Sequence, residues 1–396
     1  MKKVRVGDFI IGEEERKAIM EVLENGKLSE GPKVNEFEKQ WAEYVGTNYS
    51  VLTSSGTSAI MCGLAALKYK YAEKYEKSKK IITTPLTYIA TSNALLVTGF
   101  EPVYSDVEKD FNISPEGIEE ILEKDPQDYF GILPVHLMGY SCDMDKINEI
   151  AKKHGLIVFE DSAQAHGTIY KGKKTGSLSL LSDFSFYIAH NIQAGEMGAI
   201  NTDDAELSIL VKKIKANGRM CACNVCKRSE GNCINKNSDF DPRFTHELIG
   251  YNFKVMEFQA ALGLVQLKKA DEITRKRKQN VKYLCGELAE FTDRLILPDY
   301  SEDVSYLAYP ITLREDAGIK RDKLTSALEE EGIETRPLFG CIPTQQKAYA
   351  YLKQKYAGQL KNAEYFGENS FYIGCHQYLD DKDLGRIVGS FKKILK

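Results

Sequence analysis

The chain has 396 residues, with 53 basic and 57 acidic side chains and a formal net charge of −4 at pH 7. That length suits one large plus one small domain rather than a single simple core. The near-balanced charge gives no basis for a nucleic-acid or anionic-membrane partner, and no run approaches the roughly 18 apolar residues of a membrane span.

The opening MKKVRVGDFIIGEEERK lacks the apolar stretch of a signal peptide, because FII is followed at once by GEEERK. A soluble cytoplasmic protein is expected. Next, GEEERKAIMEVLENG (12–26) and GPKVNEFEKQWAEYVG (31–46) read as helices, the second with Val34, Phe37, Trp41 and Tyr44 at helical spacing. Six apolar runs then read as buried strands: KIITTP (80–85), EPVYSDV (101–107), GILPVHLMG (131–139), LIVFEDS (156–162), DFSFYI (183–188) and MGAINTDD (197–204). Amphipathic helices such as SPEGIEEILEKD and MDKINEIAKKHG lie between most of them. This alternation predicts an α/β layer with a mostly parallel sheet.

Residues 205–215 read as a helix and 218–247 as a polar, Cys- and Asn-rich insertion. KVMEFQAALGLVQLKKADEITRKRKQNVKYLCGELAEF reads as one or two long helices leaving the large domain. YLAYPITL, KRDKLTSALEEEGIETRP and DDKDLGRIVGSFKKIL suit a small α+β domain. The expected division is 1–250 for the large α/β domain with its insertion, and 251–396 for a linking helix and the small domain.

SSGTSAI (54–60) ends a short apolar segment and opens a helix, so its free N–H groups and small side chains make a phosphate seat or a plain Ser/Gly turn. VFEDSAQAHG puts Asp161 at the carboxyl end of a buried strand, where open α/β sheets bind ligands. A carboxylate buried there needs a cation. The protonated ring nitrogen of pyridoxal phosphate is one such cation; capping the next helix is the plainer role. Gln164 could then reach the ring hydroxyl, Tyr88 could cover a planar ring or simply pack, and Ser185 could add a phosphate hydrogen bond. His190, in FSFYIAHNIQAGEMGAINTDD, sits between an apolar strand and a glycine-rich turn.

The order of these segments carries a resemblance. GKLSEGPKVNEFEKQWAEYVG, SSGTSAI, TPLTYIATSNAL, EDSAQAHGTIYKGKKTGSLSLLSDFSF, GEMGAINTDD and GYNFKVMEFQAALGLVQL together resemble the DegT/DnrJ/EryC1/StrS sugar aminotransferase family, across almost the whole chain. The likeness implies a fold-type-I pyridoxal-phosphate protein acting on nucleotide-linked keto-sugars. It assigns the phosphate to Gly56, Thr57 and Ser185, ring stacking to Tyr88, the ring nitrogen to Asp161 and the ring hydroxyl to Gln164. It also implies a homodimer, with Asn252 reaching the neighbouring subunit's cofactor.

Family aminotransferases carry lysine where this chain has His190. Lysine forms the Schiff base; imidazole cannot hold that linkage but can take a proton near neutral pH. The chain therefore resembles the 3-dehydratase branch, which makes 3-deoxysugars from a nucleotide-linked 4-keto-6-deoxyhexose with pyridoxamine phosphate. There His190 would remove a proton from the cofactor, hydroxide would leave C3, and no amino group would be transferred. Arg336 in ETRP and His376 in GCHQ are the expected substrate contacts.

Of the nine cysteines, Cys62, Cys142, Cys285, Cys341 and Cys375 are scattered in mostly apolar contexts and read as packing residues. The other four cluster in CACNVCKRSEGNC. This loop resembles that of the iron–sulfur 3-dehydrases, in which a [2Fe–2S] centre and a partner reductase supply electrons. Cys221, Cys223 and Cys233 match three ligands; Ala163 stands at the family's other ligand position, and Cys226 is an additional thiol. Four thiolates also suit zinc. Other readings are a glutamate-using GDP-sugar dehydratase or an aminotransferase, and a non-catalytic cofactor- or zinc-binding homologue.

Overall fold

The six apolar runs become strands of one sheet because helices cover both its faces, so even their alternate residues are buried. The computed structural model describes residues 3–125, 129–223, 228, 233 and 239–396. The sheet comprises β1 (Tyr49–Thr53), β2 (Lys80–Thr83), β3 (Glu101–Tyr104), β4 (Tyr129–Leu133), β5 (Ile157–Asp161), β6 (Leu181–Ser185) and β7 (Gly198–Thr202). Their spatial order is β1-β7-β6-β5-β4-β2-β3. Only β7 runs antiparallel to its neighbours, pairing with β1 and β6.

Helix α1 (Glu13–Asn25) and helix α2 (Pro32–Val45) follow the expected spans, and α2 buries Val34, Phe37 and Trp41 against Phe184 and Phe186 of the sheet. The opposite sheet face packs helix α3 (Gly56–Lys70) so closely that a Cβ on Gly63 would meet the Phe159 ring at 2.7 Å. Parallel pairing of β5 with β6 sets Phe159 beside Leu181 and Asp161 beside Asp183. Side chains alternate along a strand, so both aspartates share the α3 face, one step beyond the apolar pair. Helices α4 (Ala90–Val97), α5 (Pro115–Lys124), α6 (Met144–His154) and α7 (Ala205–Ile214) complete the layers.

The long helical stretch after residue 250 divides at Lys269 into α8 (Glu257–Lys268) and α9 (Ala270–Leu288). Glu257 accepts hydrogen bonds from the N–H groups of Gly31, Lys33 and Val34 at 2.7–3.0 Å, which fastens α8 to the start of α2. Beyond α9, strands β8 (Leu295–Ile296), β9 (Tyr309–Leu313), β10 (Thr335–Pro337) and β11 (Ser370–Ile373) form an antiparallel sheet in the order β8-β9-β11-β10. Helices α10 (Arg321–Glu330) and α11 (Asp381–Leu395) pack with it, and Val4 pairs with Ile333. The two ends of the 218–247 insertion are pinned by the Arg219–His246 bridge and a 2.9 Å bond from the Met220 N–H to the Thr245 carbonyl. Among the described residues, no helix is long and apolar enough to cross a membrane.

Candidate active site

The carboxyl ends of β1, β5 and β6 open into a cleft of about 740 Å³, with walls from α3, α4 and the small lobe. Six of the expected residues meet there on one chain segment each or in close pairs: Gly56 and Thr57, Tyr88, Asp161, Gln164 and Ser185. His190 and Arg336 also line it.

Ser55 caps α3 by accepting from the Ser58 N–H at 3.1 Å. The first turn of a helix leaves its N–H groups without intrahelical acceptors, which suits an anion. Gly56 brings that turn against β6: a Cβ there would lie 2.6 Å from Ser185 Cβ. The glycine thus sets the Ser185 hydroxyl beside the helix start, and an anion seat results from two segments far apart in sequence.

Asp161 is buried in the same cleft. Its carboxylate accepts from the Thr91 hydroxyl at 2.8 Å and the Ala163 N–H at 3.2 Å. Burial nevertheless pushes its pKa up, because those two donors only partly replace lost water. Among the described residues no Lys or Arg pairs with it, so a cationic ring nitrogen would supply the missing charge. Gln164 spends its side-chain oxygen on the Met138 N–H at 2.9 Å, which leaves its amide NH₂ as a donor. Tyr88 is 59 % exposed and touches Phe339 edge-on at 6.1 Å between centroids.

The β6–β7 connection delivers His190. Its Nδ1 lies 2.6 Å from the Ser185 carbonyl oxygen. A carbonyl only accepts, so Nδ1 carries the proton and Nε2 keeps its lone pair. Burial drives the imidazole pKa down to about 4, helped by the Arg277 charge and opposed by the Ser185 bond. At neutral pH the ring is an uncharged base. No lysine lines the cleft among the described residues.

One expected substrate contact, His376, does not line the cleft, and Asn252 is expected at a partner subunit's cofactor. His376 is buried in the small lobe, where its Nδ1 accepts from the Tyr378 N–H at 3.3 Å and its carbonyl accepts from Asn280 at 3.0 Å. Asn252 is exposed, bridges to Ala216, and does not line the cleft of its own chain. Arg336 lies 2.9 Å from Glu334 and is the cleft's one Lys or Arg among the described residues. Three other histidines have structural partners: His136 bonds Glu160 at 3.0 Å, His166 Nδ1 accepts from the Ile192 N–H, and His246 Nδ1 bonds the Asn217 carbonyl at 2.8 Å.

Cys62, Cys142, Cys341 and Cys375 are buried, as packing thiols should be. Cys226 lies outside the described residues. Cys221, Cys223 and Cys233 belong to no group of three metal-ligating side chains among the described residues, and Cys233 Sγ faces Arg228 at 3.9 Å.

Three residues of the site escape a sequence reading: Thr91, Asp183 and Arg277. Asp183 had a signal, since it precedes Ser185 by two on one strand face. Arg277 falls on the buried line Ile273–Arg277–Val281 of α9, hidden in what reads as a solvated charge run.

The sequence profile of the DegT/DnrJ/EryC1/StrS aminotransferase family matches residues 10–392. The chain belongs to that family. Within it, the lipopolysaccharide biosynthesis protein RfbH of Salmonella typhimurium is 32% identical over 97% of this chain and 90% of its own length. Among solved structures, the aminotransferase PseC of Helicobacter pylori superposes with a TM-score of 0.88 at 27% identity, covering 99% of both chains. The E. coli GDP-4-keto-6-deoxy-D-mannose 3-dehydratase, solved with bound hydrated PLP, gives a TM-score of 0.87 at 26% identity, over 98% of this chain and 99% of that one. Family members similar to this chain thus include both aminotransferases and dehydratases. Family membership alone leaves the two activities level.

Proposed function

We propose that this chain is a pyridoxamine/pyridoxal-phosphate enzyme that removes the C3 hydroxyl of a nucleotide-linked 4-keto-6-deoxyhexose as water. One observation carries the reading: the cleft's acid–base group is a neutral imidazole, and no lysine lines the cleft among the described residues. The likeness to a structure solved with bound PLP supports the cofactor.

The helix start at Gly56 and Thr57, with the Ser185 hydroxyl, suits the phosphate; Asp161 suits the ring nitrogen and the Gln164 amide the ring hydroxyl. When bound, pyridoxamine phosphate supplies an amine that condenses with the C4 ketone and a ring that accepts electrons. His190 would serve through Nε2 as the base toward the cofactor's C4′ carbon, with Nδ1 kept protonated by the Ser185 carbonyl. The proton so held would be available to the departing C3 hydroxyl, which would leave as water. Arg277 opposes a lasting positive charge on His190, so the proton is readily released. Arg336 suits the substrate diphosphate.

The reading extends to a cytoplasmic homodimer in which Asn252 reaches the partner subunit's cofactor; sedimentation and the pyridoxal phosphate affinity of Asn252→Ala test it. The reading includes an iron–sulfur centre on the thiols Cys221, Cys223 and Cys233, fed by a partner reductase, with Cys226, which lies outside the described residues, as the fourth candidate. Iron and acid-labile sulfide in anaerobically purified protein would bring Cys226 in as the missing ligand.

The deciding experiment incubates the protein with pyridoxamine phosphate and a nucleotide-4-keto-6-deoxyhexose and weighs the sugar product. Loss of one water is expected. Replacement of the ketone by an amine overturns the proposal.

A further inference from the structure

Asp183 has no part in the chemistry above, yet it lines the same cleft. It is fully buried on β6, and neither carboxyl oxygen has a hydrogen-bond partner among the described residues. Strand register sets it directly beside Asp161 on the face that meets α3. Its neighbour across β7 is Ile200, and α3 contributes Ile60 to the cleft wall. The ionisable group that acts on it is Asp161; His136, which acts on Asp161, is itself bonded to Glu160. Asp161 meanwhile takes both nearby donors, Thr91 and Ala163.

Two carboxylates side by side in a buried site do not both ionise; one keeps its proton. The better-solvated partner ionises first. Asp161, with two hydrogen-bond donors, is the carboxylate, and Asp183, with none, is the acid.

We propose that Asp183 and Asp161 act as a unit, a carboxylic acid beside a carboxylate, in which the hold of Asp183 on its proton is set by whether a cationic ring has paired with Asp161. The link to a ring rests on the cofactor reading above; the pair itself does not. Burial and the Asp161 charge both push the Asp183 pKa up. A pyridinium on Asp161 cancels that charge, so Asp183 becomes the stronger acid as the cofactor docks. An in-cleft carboxyl that strengthens only in the loaded protein keeps an extra negative charge away from the phosphate until the ring is seated.

Isotope-edited infrared spectra of the ligand-free protein test the pair directly. Wild type shows the carbonyl stretch of a protonated carboxyl at neutral pH, and Asp183→Asn lacks it. In Asp161→Asn the band titrates at lower pH, by about one unit or more. Adding pyridoxal phosphate to wild type shifts it the same way. Should Asp183→Asn fold poorly, Asp183→Thr serves as the subtraction partner. No band lost on substitution, or an unchanged midpoint in Asp161→Asn, overturns the proposal. Failure of pyridoxal phosphate to bind wild type would sink the cofactor reading instead, while the two ligand-free results still decide whether the pair exists.

Discussion

The Arg277 guanidinium donates to the His190 carbonyl oxygen across 3.4 Å and to the Tyr306 and Leu307 carbonyls at 3.2 and 2.7 Å. It is fully buried, and its partners are dipoles rather than a carboxylate. One cation therefore ties the linking helix, the small lobe and the base-bearing turn together. Arg277→Met leaves those carbonyls without a donor and is expected to cost about 2–4 kcal/mol in urea unfolding. Arg277→Lys keeps the charge but loses the fork. Turnover should fall in that variant with KM nearly unchanged, because the turn loosens while the cleft walls stay.

The His190 ring should stay neutral well into acid. Nitrogen-15 NMR of the ligand-free protein should show a single Nδ1–H tautomer, with protonation only near pH 4. The folded value lies below the unfolded one of about 6.5, so the unfolded chain binds the proton first. The contribution of this residue to stability is thus lost as pH falls from about 6.5 through about 4. A tautomer with the proton on Nε2 would contradict the Ser185 contact.

Borohydride treatment with pyridoxal phosphate should leave wild-type mass unchanged and add one cofactor to His190→Lys, since only an amine forms the reducible imine. His190→Asn should lose about 10²–10⁴-fold in dehydration, the usual worth of a positioned acid–base group. Equal activity in His190→Asn would remove imidazole from the chemistry.

Asp161→Asn removes the counter-charge for the ring nitrogen, and Thr91→Val removes one of its supports. Pyridoxal phosphate affinity, read from the absorbance of bound cofactor, should fall in both. The Thr91→Val loss should be about 1.5–3 kcal/mol at most, the worth of one hydrogen bond to a charged group, and smaller than that of Asp161→Asn.

Much of the scaffold is legible in one dimension. Apolar runs flanked by Gly, Pro and Asp mark six of the seven strands of the large sheet, since burial on both faces leaves continuous hydrophobic stretches. The strand β1, read only as a short apolar segment before SSGTSAI, joins the sheet beside β7, a neighbour more than 140 residues away by the Tyr49–Thr202 pairing. The break at Lys269 was open in the sequence, because both halves have helical pattern. His376 shows the limit on the site side: it stands in a suggestive motif, yet it is buried beside Asn280 of α9 and does not line the cleft.

Residue chemistry and local order determined that a phosphate seat, a buried carboxylate and an imidazole would each stand at a strand or helix end, because those properties depend on neighbours within a few positions. Which of them face one another was decided by tertiary structure. Strand register put Asp183 beside Asp161, the missing Cβ of Gly56 let α3 close on Ser185, and a buried arginine from a distant helix fixed the His190 turn. Such contacts depend on packing between segments remote in sequence, and no local pattern encodes them.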